Sequence, residues 1–275
     1  MQDVLSPVSS VRFSNLVKTT VLLAAMTALA LGIGQLVGGP RGILFAGAIV
    51  AVMNFVSFWF SDRLALAMNR AHPLRPGALP WLEDLTAQLA RRADVPMPRL
   101  YVIDSPTPNA FATGRSPNKA AVAVTTGLLD LLDRRELAGV IAHELAHVKN
   151  RDTLLMTVAG TIAGVITHVV QTLFWFGGVF SGRQSEDDDG PGPLATLGLL
   201  LVAPLAATLL QLAVSRAREF DADASAAQYT GDPDGLASAL SRLESGNRMM
   251  PNDHSPATAH LFIVNPLSGR GVMGL

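Results

Sequence analysis

Four long apolar runs are the feature that most constrains how this chain of 275 residues can fold. They cover Val21–Val37, Ile43–Phe60, Leu154–Phe180 and Pro193–Val214. A helix rises about 1.5 Å per residue and the hydrocarbon core of a bilayer is about 30 Å thick, so about 20 apolar residues can cross it. Runs two to four have that length and contain no Asp, Glu, Lys or Arg, whereas the first is shorter. The pattern predicts four transmembrane helices.

The apolar runs also have alternative interpretations. The first run is compatible with a secretory signal, because Ala28-Leu29-Ala30 is similar to a cleavage site. A transmembrane hairpin is favoured, since a second apolar run follows within a few residues. The alternative for runs three and four is that they are buried core helices of a soluble protein. This is disfavoured, because core helices are rarely so long and free of charge.

The distribution of Lys and Arg predicts how the chain is oriented in the membrane. Of 21 cationic residues, only Arg41 and Arg183 lie in the loops that close the two predicted hairpins. The segment between runs two and three holds twelve of them. Because cationic loops stay on the cytoplasmic side, both termini and this segment are predicted to be cytoplasmic.

These features divide the chain into four predicted parts. Residues 1–60 are predicted to form an N-terminal transmembrane hairpin, and residues 153–214 a second one. Residues 61–152 and 215–275 are predicted to be the two halves of one cytosolic domain.

The segment 61–152 is predicted to be a compact α+β unit. Trp81–Ala93 has the apolar spacing of an amphipathic helix, and Leu100–Ile103 is a short β-rich run. Ala110–Thr113 and Ala120–Thr125 flank the sequence Gly-Arg-Ser-Pro-Asn-Lys, which favours a turn. The two runs are therefore predicted to form a β-hairpin or an open β-loop.

Composition excludes several classes of protein. The 21 Lys and Arg against 22 Asp and Glu leave a net charge of -1, so there is no basic field and no nucleic-acid partner is expected. The chain has no cysteine, which excludes disulfide scaffolds and thiolate metal sites. Any metal must be bound by His, Asp or Glu.

One predicted helix carries a metal-binding motif. It is expected to begin at Asp133, because Glu136 three residues later completes a capping-box pattern. Residues 143–147 are HELAH, which places His143 and His147 one turn apart, where both can reach one zinc ion at about 2.0–2.1 Å. Glu144 can contact a metal-bound water without binding the ion. The alternative, two solvated histidines, is disfavoured by the cap and the regular helical pattern.

A catalytic zinc ion needs a third protein ligand and an open position. After the fourth run, Glu219 and Asp223 are four residues apart and lie on one face of a predicted helix. Glu219 can bind the metal, and Asp223 can accept the second N–H of a zinc-bound histidine. Asp221 is expected to project away into solvent. From spacing alone, ion pairing of Glu219 and Asp223 with Arg216 or Arg218 is an equally good interpretation.

The order of these motifs resembles a known family. The motifs are PNAFATG at 108–114, HELAHVKNRD at 143–152, SRAREFDADASA at 215–226 and TAHLFIVNPLSG at 258–269. Together with the apolar runs they resemble the M48 zinc metallopeptidases, most closely the bacterial HtpX protease branch, over nearly the whole chain. Members usually continue past the position of Leu275, so the chain is expected to be either a truncated sequence or a short member.

The resemblance implies a role for each candidate residue. His143, His147 and Glu219 would bind one Zn²⁺ per chain, Glu144 would be the catalytic glutamate, and Asp223 would orient a ligand histidine. The resemblance also implies an enzyme of the bacterial inner membrane with its active site in the cytosol. Such enzymes act on misfolded or membrane proteins in quality control and the stress response.

Substrate binding and stabilisation of the oxyanion rest on further residues. The extended PNAFAT segment is predicted to bind a peptide by strand addition, through Asn109, Ala110, Phe111 and Ala112. An internal hairpin strand is the alternative. The donor that stabilises the oxyanion stays open among His254, His260, Tyr229 and the C-terminal segment that family members usually carry past the position of Leu275.

The distance of the motifs from the apolar runs predicts where the metal lies. His147 is seven residues before run three, and Glu219 is five residues after run four. The zinc is therefore expected about 5–10 Å from the cytoplasmic membrane surface, one or two helical turns away.

The predicted fold is a mostly helical α+β membrane protein with four transmembrane helices and a cytosolic zincin-type domain that contains a small β-sheet. The expected function is that of a membrane-bound zinc endopeptidase, with polypeptide substrates and the lipid bilayer as partners. Two alternatives remain. One is a non-catalytic scaffold or holdase with a structural zinc. The other is a CAAX-type prenyl protease, ranked lower because that branch has more membrane spans than this chain can contain.

Overall fold

The computed structural model describes residues 7–159 and 216–249. Its helices are α1 (Pro7–Met68), α2 (Pro80–Ala93), α3 (Thr126–Leu131), α4 (Arg134–Asn150), α5 (Arg216–Thr230) and α6 (Pro233–Met249). Its strands are β1 (His72–Pro73), β2 (Arg99–Ile103), β3 (Ala110–Thr113) and β4 (Ala121–Thr125). A further helical segment covers residues 152–159. The described part is therefore mostly helical with a small sheet, as predicted.

Helix α1 consists of two helices joined at a break. Gly39 has a φ of 56° and a ψ of -142°, outside the helical region, and Pro40 follows it. Proline suits the first turn of a new helix, because its missing N–H would be unpaired there. Asn54 Nδ2 donates a hydrogen bond to Thr27 Oγ1 at 3.0 Å, so the two halves contact each other. Polar contacts of this kind join helices in apolar surroundings.

The second half of α1 is the part that fits a bilayer. Within residues 7–159 and 216–249, Gly39–Met68 is the one helix long and apolar enough to span, with 30 residues and a mean hydropathy of 2.1. Its most apolar window is 11% buried, so its side chains face outward. Thr19–Gly32 is apolar but shorter. Of the four predicted spans, the third lies mostly and the fourth entirely outside the described residues.

The four strands form a mixed sheet with the order β1-β2-β4-β3. Strand β2 runs parallel to β4, whereas β1 is antiparallel to β2 and β3 is antiparallel to β4. In the β3–β4 pair, Phe111 lies opposite Ala123. The predicted hairpin is confirmed, and Pro117–Lys119 form a short 3₁₀ helix in its turn. Strand β3 is thus at one edge of the sheet.

Side chains alternate along each strand and so point to both faces of the sheet. Both faces are covered by helices. Val122 and Val124 face a core shared with α2, α4, α5 and α6. The opposite face packs against the end of α1, in a cluster that contains Ala65, Leu66, Phe111, Ala121 and Ala123. The sheet therefore joins the apolar helix to the rest of the domain.

Helix α4 begins where the sequence predicts. Glu136 N donates to Asp133 Oδ1 at 2.9 Å, and Asp133 N donates to Glu136 Oε2 at 3.0 Å, which completes the capping box. The helix ends at Asn150, and Arg151 after it has a left-handed φ of 59°. Helix α4 contacts α2, α5, α6 and β3. These contacts fix the position of its metal-binding motif within the domain.

A close approach between α4 and α6 depends on Gly139. A Cβ atom at this position would lie 2.7 Å from Leu236 N and 2.8 Å from Leu236 Cα. We expect Gly139→Ala to destabilise the protein by about 1–3 kcal/mol, because overpacking outweighs the better helix propensity of alanine. The variant should show a lower apparent melting temperature in detergent.

Gly32→Ala is the matched control for this substitution. Gly32 is also helical, and no described atom lies within 4 Å of its added Cβ. Its melting temperature should stay the same or rise slightly. Equal melting temperatures for the two variants would contradict the tight contact between α4 and α6.

Candidate metal centre

Helices α4 and α5 bring three metal-binding side chains together. One ligand atom from each of His143, His147 and Glu219 lies within 4.8 Å of the others. The two histidines come from successive turns of α4 and are buried, and Glu219 comes from the first turn of α5. The predicted spacing on each helix therefore places all three groups at one point between the helices.

The distances between these atoms fit a single zinc ion. His143 Nε2 and His147 Nε2 are 3.1 Å apart. Glu219 Oε2 is 3.6 Å from His143 Nε2 and 3.7 Å from His147 Nε2. A point equidistant from three atoms so placed is about 2.0 Å from each, which matches Zn–N and Zn–O bond lengths of about 2.0–2.2 Å.

A carboxylate contacts the second nitrogen of each imidazole. His143 Nδ1 lies 2.9 Å from Asp223 Oδ1, and His147 Nδ1 lies 3.1 Å from Asp152 Oδ2. When Nδ1–H donates to a carboxylate, Nε2 keeps its lone pair for a metal. Asp223 occupies the place that the sequence predicts for it.

Asp152 is a residue that the sequence analysis missed. It is five residues after His147, which at 3.6 residues per turn is not the same face of a continuous helix. The left-handed conformation of Arg151 turns the chain, and Asp152 comes back to His147. The side chain is completely buried, so this contact is part of the core of the site.

Glu144 lies beside the histidines and contacts the sheet. Its Oε2 atom accepts a hydrogen bond from Ala112 N at 2.7 Å. Burial raises the pKa of Glu144, and the neighbouring histidines oppose this shift. A carboxylate with a raised pKa is a stronger proton acceptor, as a general base requires.

Strand β3 is the last strand of the sheet: one edge pairs with β4, and the other lies beside α4. Asn109 O accepts hydrogen bonds from Thr125 on the β4 side. Because main-chain groups alternate in an antiparallel pair, Ala110 and Ala112 direct theirs to the opposite edge. The Ala112–Glu144 hydrogen bond confirms this direction. Phe111 packs against the end of α1, so its side chain does not face the metal group.

The two interpretations of the PNAFAT segment therefore concern different edges of one strand. The hairpin interpretation is correct for the edge that pairs with β4. The other edge borders Glu144, and strand addition there stays a prediction.

The electrostatics of the site favour a positive charge between the imidazoles and the carboxylates. Burial lowers the pKa of His147, but Asp152 and Glu219 raise it to about 10. Burial opposes the shift of Glu219, yet the adjacent His143 and His147 hold the pKa of its carboxyl well below the usual range. A divalent cation would supply the same positive charge. Two imidazoles and one carboxylate suit zinc better than magnesium or calcium, which prefer oxygen ligands.

Among the described groups, Glu219 and Asp223 do not form the ion pairs with arginine that their spacing also permits. Glu219 contacts both histidines and Asp223 contacts His143. The buried Arg218 lies beside Asp152 instead, with Nε 4.0 Å from Oδ1. The side chain of Arg216 lies outside the described residues. Asp221 is exposed, as predicted.

Of the three residues considered for the oxyanion, the structure describes one. Tyr229 is buried in α5, ten residues and so about 15 Å of helix from Glu219. Lys149 Nζ lies 5.5 Å from the centre of its ring. His254 and His260 lie outside the described residues, as does His168.

Comparison with known proteins decides the family. The sequence profile described as "Peptidase family M48" matches residues 77–263, which is more than half of the chain. The chain belongs to this family. The match includes α4, α5 and every residue of the metal centre.

Relatives cover almost the entire chain. A "Protease HtpX homolog" of Desulforapulum autotrophicum is 48% identical over 262 residues, which are 95% of this chain and 84% of the relative. Another from Acidiphilium cryptum (strain JF-5) is 53% identical over 258 residues, 93% of this chain and 88% of the relative. The crystal structure of S. mikatae Ste24p matches at 17% identity with a TM-score of 0.41, over 92% of this chain and 63% of that one. As a member of family M48, the chain is a membrane-bound zinc metalloprotease.

The carboxylates behind the histidines make a testable contribution to metal affinity. Asp152→Asn and Asp223→Asn should each weaken zinc binding about 10–100-fold, because the imidazoles lose the groups that orient them. Competition with a chromogenic chelator measures the affinity. Asp221→Asn is the matched control, since Asp221 is on the same helix as Asp223 but exposed. An unchanged affinity in Asp152→Asn would show that Asp152 does not orient His147.

Proposed function

We propose that this chain is a zinc endopeptidase in which His143, His147 and Glu219 bind one Zn²⁺ and Glu144 is the general base. The convergence of three ligand atoms beside a buried glutamate supports this proposal most strongly. Structural zinc sites are closed by four protein ligands, whereas catalytic sites use three and keep one position open. Among the described residues, three side chains form this group.

Each residue has a separate part in peptide hydrolysis. When bound, zinc supplies a Lewis acid that polarises a carbonyl and lowers the pKa of water. Glu144 accepts the proton of the attacking water and passes it to the leaving amine. Ala112 N–H restrains the Glu144 carboxylate. Asp152 and Asp223 keep both imidazoles turned so that Nε2 faces the ion.

The free edge of β3 supports a role for Asn109, Ala110, Phe111 and Ala112 in binding substrate. An extended peptide that adds to this edge would donate its N–H groups to the main-chain carbonyls of Ala110 and Ala112. The N–H groups of these two residues already donate to Asn109 Oδ1 and to Glu144. Its scissile bond would then lie near Glu144. Such binding tolerates many sequences but requires an extended chain. The expected substrates are therefore unfolded polypeptides or loops of membrane proteins.

We place the active site at the cytoplasmic face of a bacterial inner membrane, in a chain with four spans and both termini in the cytoplasm. The apolar, outward-facing helix Gly39–Met68 supports a membrane location. The domain follows directly at the end of this helix and packs against it. The concentration of Lys and Arg in residues 61–152 supports the cytoplasmic side.

Substitution of the general base tests the proposed mechanism. Glu144→Gln should lower kcat/KM for an unfolded, casein-like substrate about 10²–10⁴-fold, because the proton acceptor is lost. Zinc content, measured by atomic emission, should stay at one ion per chain. The assay uses the purified full chain in detergent, with a chelator-treated sample restored by added zinc as the reference.

The same experiment distinguishes the non-catalytic alternative. A scaffold or holdase with a structural zinc would show no zinc-dependent cleavage in the unsubstituted chain. Equal cleavage by Glu144→Gln and the unsubstituted chain would contradict the assignment of the base.

The absence of cysteine from the sequence permits a direct test of orientation. Arg41→Cys places a single thiol in the first turn of the helix Gly39–Met68, and Arg75→Cys places one beyond its other end. In intact spheroplasts a membrane-impermeant maleimide should label position 41 only, and after lysis it should label both. The unsubstituted chain serves as the unlabelled control. Labelling of position 75 alone in spheroplasts would reverse the orientation.

A further inference from the structure

A cavity of about 430 Å³ lies where the apolar helix meets the cytosolic domain. On one side it is lined by Phe55, Trp59 and Phe60 of α1. On the other side it is lined by Arg99 of β2 and by Arg115 and Lys119 of the β3–β4 turn. None of its lining residues belongs to the metal centre. The peptidase mechanism therefore gives this cavity no role.

The cavity carries an excess of positive charge. Arg63 completes a set of four cations, against the single carboxylate of Asp62. Arg99 neutralises that carboxylate through an ion pair of 2.7 Å. Across residues 7–159 and 216–249, no carboxylate forms an ion pair with the remaining cations, Arg63, Arg115 and Lys119. Within the described part of the chain, three cations around this cavity have no carboxylate partner, which favours an anion.

Aromatic rings hold two of these cations at the end of the apolar run. The guanidinium carbon of Arg115 lies 4.1 Å from the centre of the Trp59 ring, and that of Arg63 lies 5.6 Å from the Phe60 ring. Cation–π contacts of this kind restrain a side chain without neutralising its charge. Trp and cationic residues concentrate at the membrane–water boundary, so this arrangement is the one expected at the level of lipid headgroups.

An apolar surface continues from the cavity along α1. Val52, Phe55 and Trp59 are exposed, and their spacing places them on one face of the helix. This face leads away from the cations towards the middle of the apolar run. The cavity thus combines an anion site with a track suited to a hydrocarbon chain.

We propose that this cavity binds an anionic phospholipid, with its phosphate between Arg63, Arg115 and Lys119 and an acyl chain along Val52 and Phe55. Guanidinium groups suit phosphate because their paired N–H donors match its oxygens. Basic pockets beside membrane helices bind lipid headgroups for the same reason. The proposal rests on the membrane location and not on the peptidase chemistry. The bound lipid would attach the β3–β4 turn, and with it strand β3, to the membrane surface.

Lipid retention by the full chain tests this site. The protein is reconstituted in nanodiscs of phosphatidylcholine and phosphatidylglycerol, and native mass spectrometry counts the lipids that stay bound. The unsubstituted chain should retain phosphatidylglycerol preferentially. Arg115→Gln with Lys119→Gln should reduce this preference about 25-fold, since each cation near an anionic surface contributes about fivefold.

Two control variants separate the site from general effects of charge and folding. Arg134→Gln removes a cation that also lies over a tryptophan, at 5.3 Å from the Trp81 ring, but outside the cavity. It should keep the preference for phosphatidylglycerol. Arg115→Lys with Lys119→Arg preserves both charges and should also keep it. Unchanged retention in the double Gln variant, or an equal loss in Arg134→Gln, would overturn the proposal.

A soluble competitor identifies the source of the phosphate. Glycerol 3-phosphate carries the headgroup chemistry without acyl chains, so millimolar concentrations should not displace the retained lipid. Phe55→Ala should weaken retention, because the acyl chain loses its contact. Displacement by glycerol 3-phosphate, together with normal retention in Phe55→Ala, would assign the cavity to a soluble phosphate and overturn the lipid.

Discussion

Two imidazoles held side by side in the interior are the constraint on which the rest of this structure depends. The Nε2 atoms of His143 and His147 point towards one position and are 3.1 Å apart. Such a pair is tolerated in a buried place only when the remaining ring nitrogens are hydrogen-bonded and the charge is balanced. Asp152, Asp223 and Glu219 meet both requirements. The packing of α5 against α4 is therefore inseparable from the metal chemistry.

A continuous set of contacts connects the apolar helix to this pair. The end of α1 packs on one face of the sheet. Strand β3, at the sheet edge, donates its Ala112 N–H to Glu144. Glu144 is next to His143 on α4, and α4 packs against α5. A peptide bound along β3 would thus be held in a fixed position relative to both the metal group and the end of the apolar helix.

The parts of the candidate site that follow from the sequence share one physical property. The spacing of His143 and His147, that of Glu219 and Asp223, and the capping box at Asp133 are all set by one turn of helix. Such relations need no knowledge of the tertiary fold. The choice between histidine and arginine as partner of Glu219 was open for the opposite reason. It depends on where α5 lies against α4, and 65 residues separate the two helices in the chain.

The sequence by itself determined the apolar helix, the hairpin of β3 and β4, and the two residue pairs that can face a metal. Tertiary structure decided that these pairs meet, that Asp152 returns to His147 through a left-handed residue, and that the free edge of β3 faces Glu144. It also places cations of α1 and of the β3–β4 turn around the end of the apolar helix, where Trp59 and Phe60 lie. Local periodicity reports the geometry of a single element. Contacts between distant elements arise only when their buried faces pack together, and that packing has no signature in the spacing of residues.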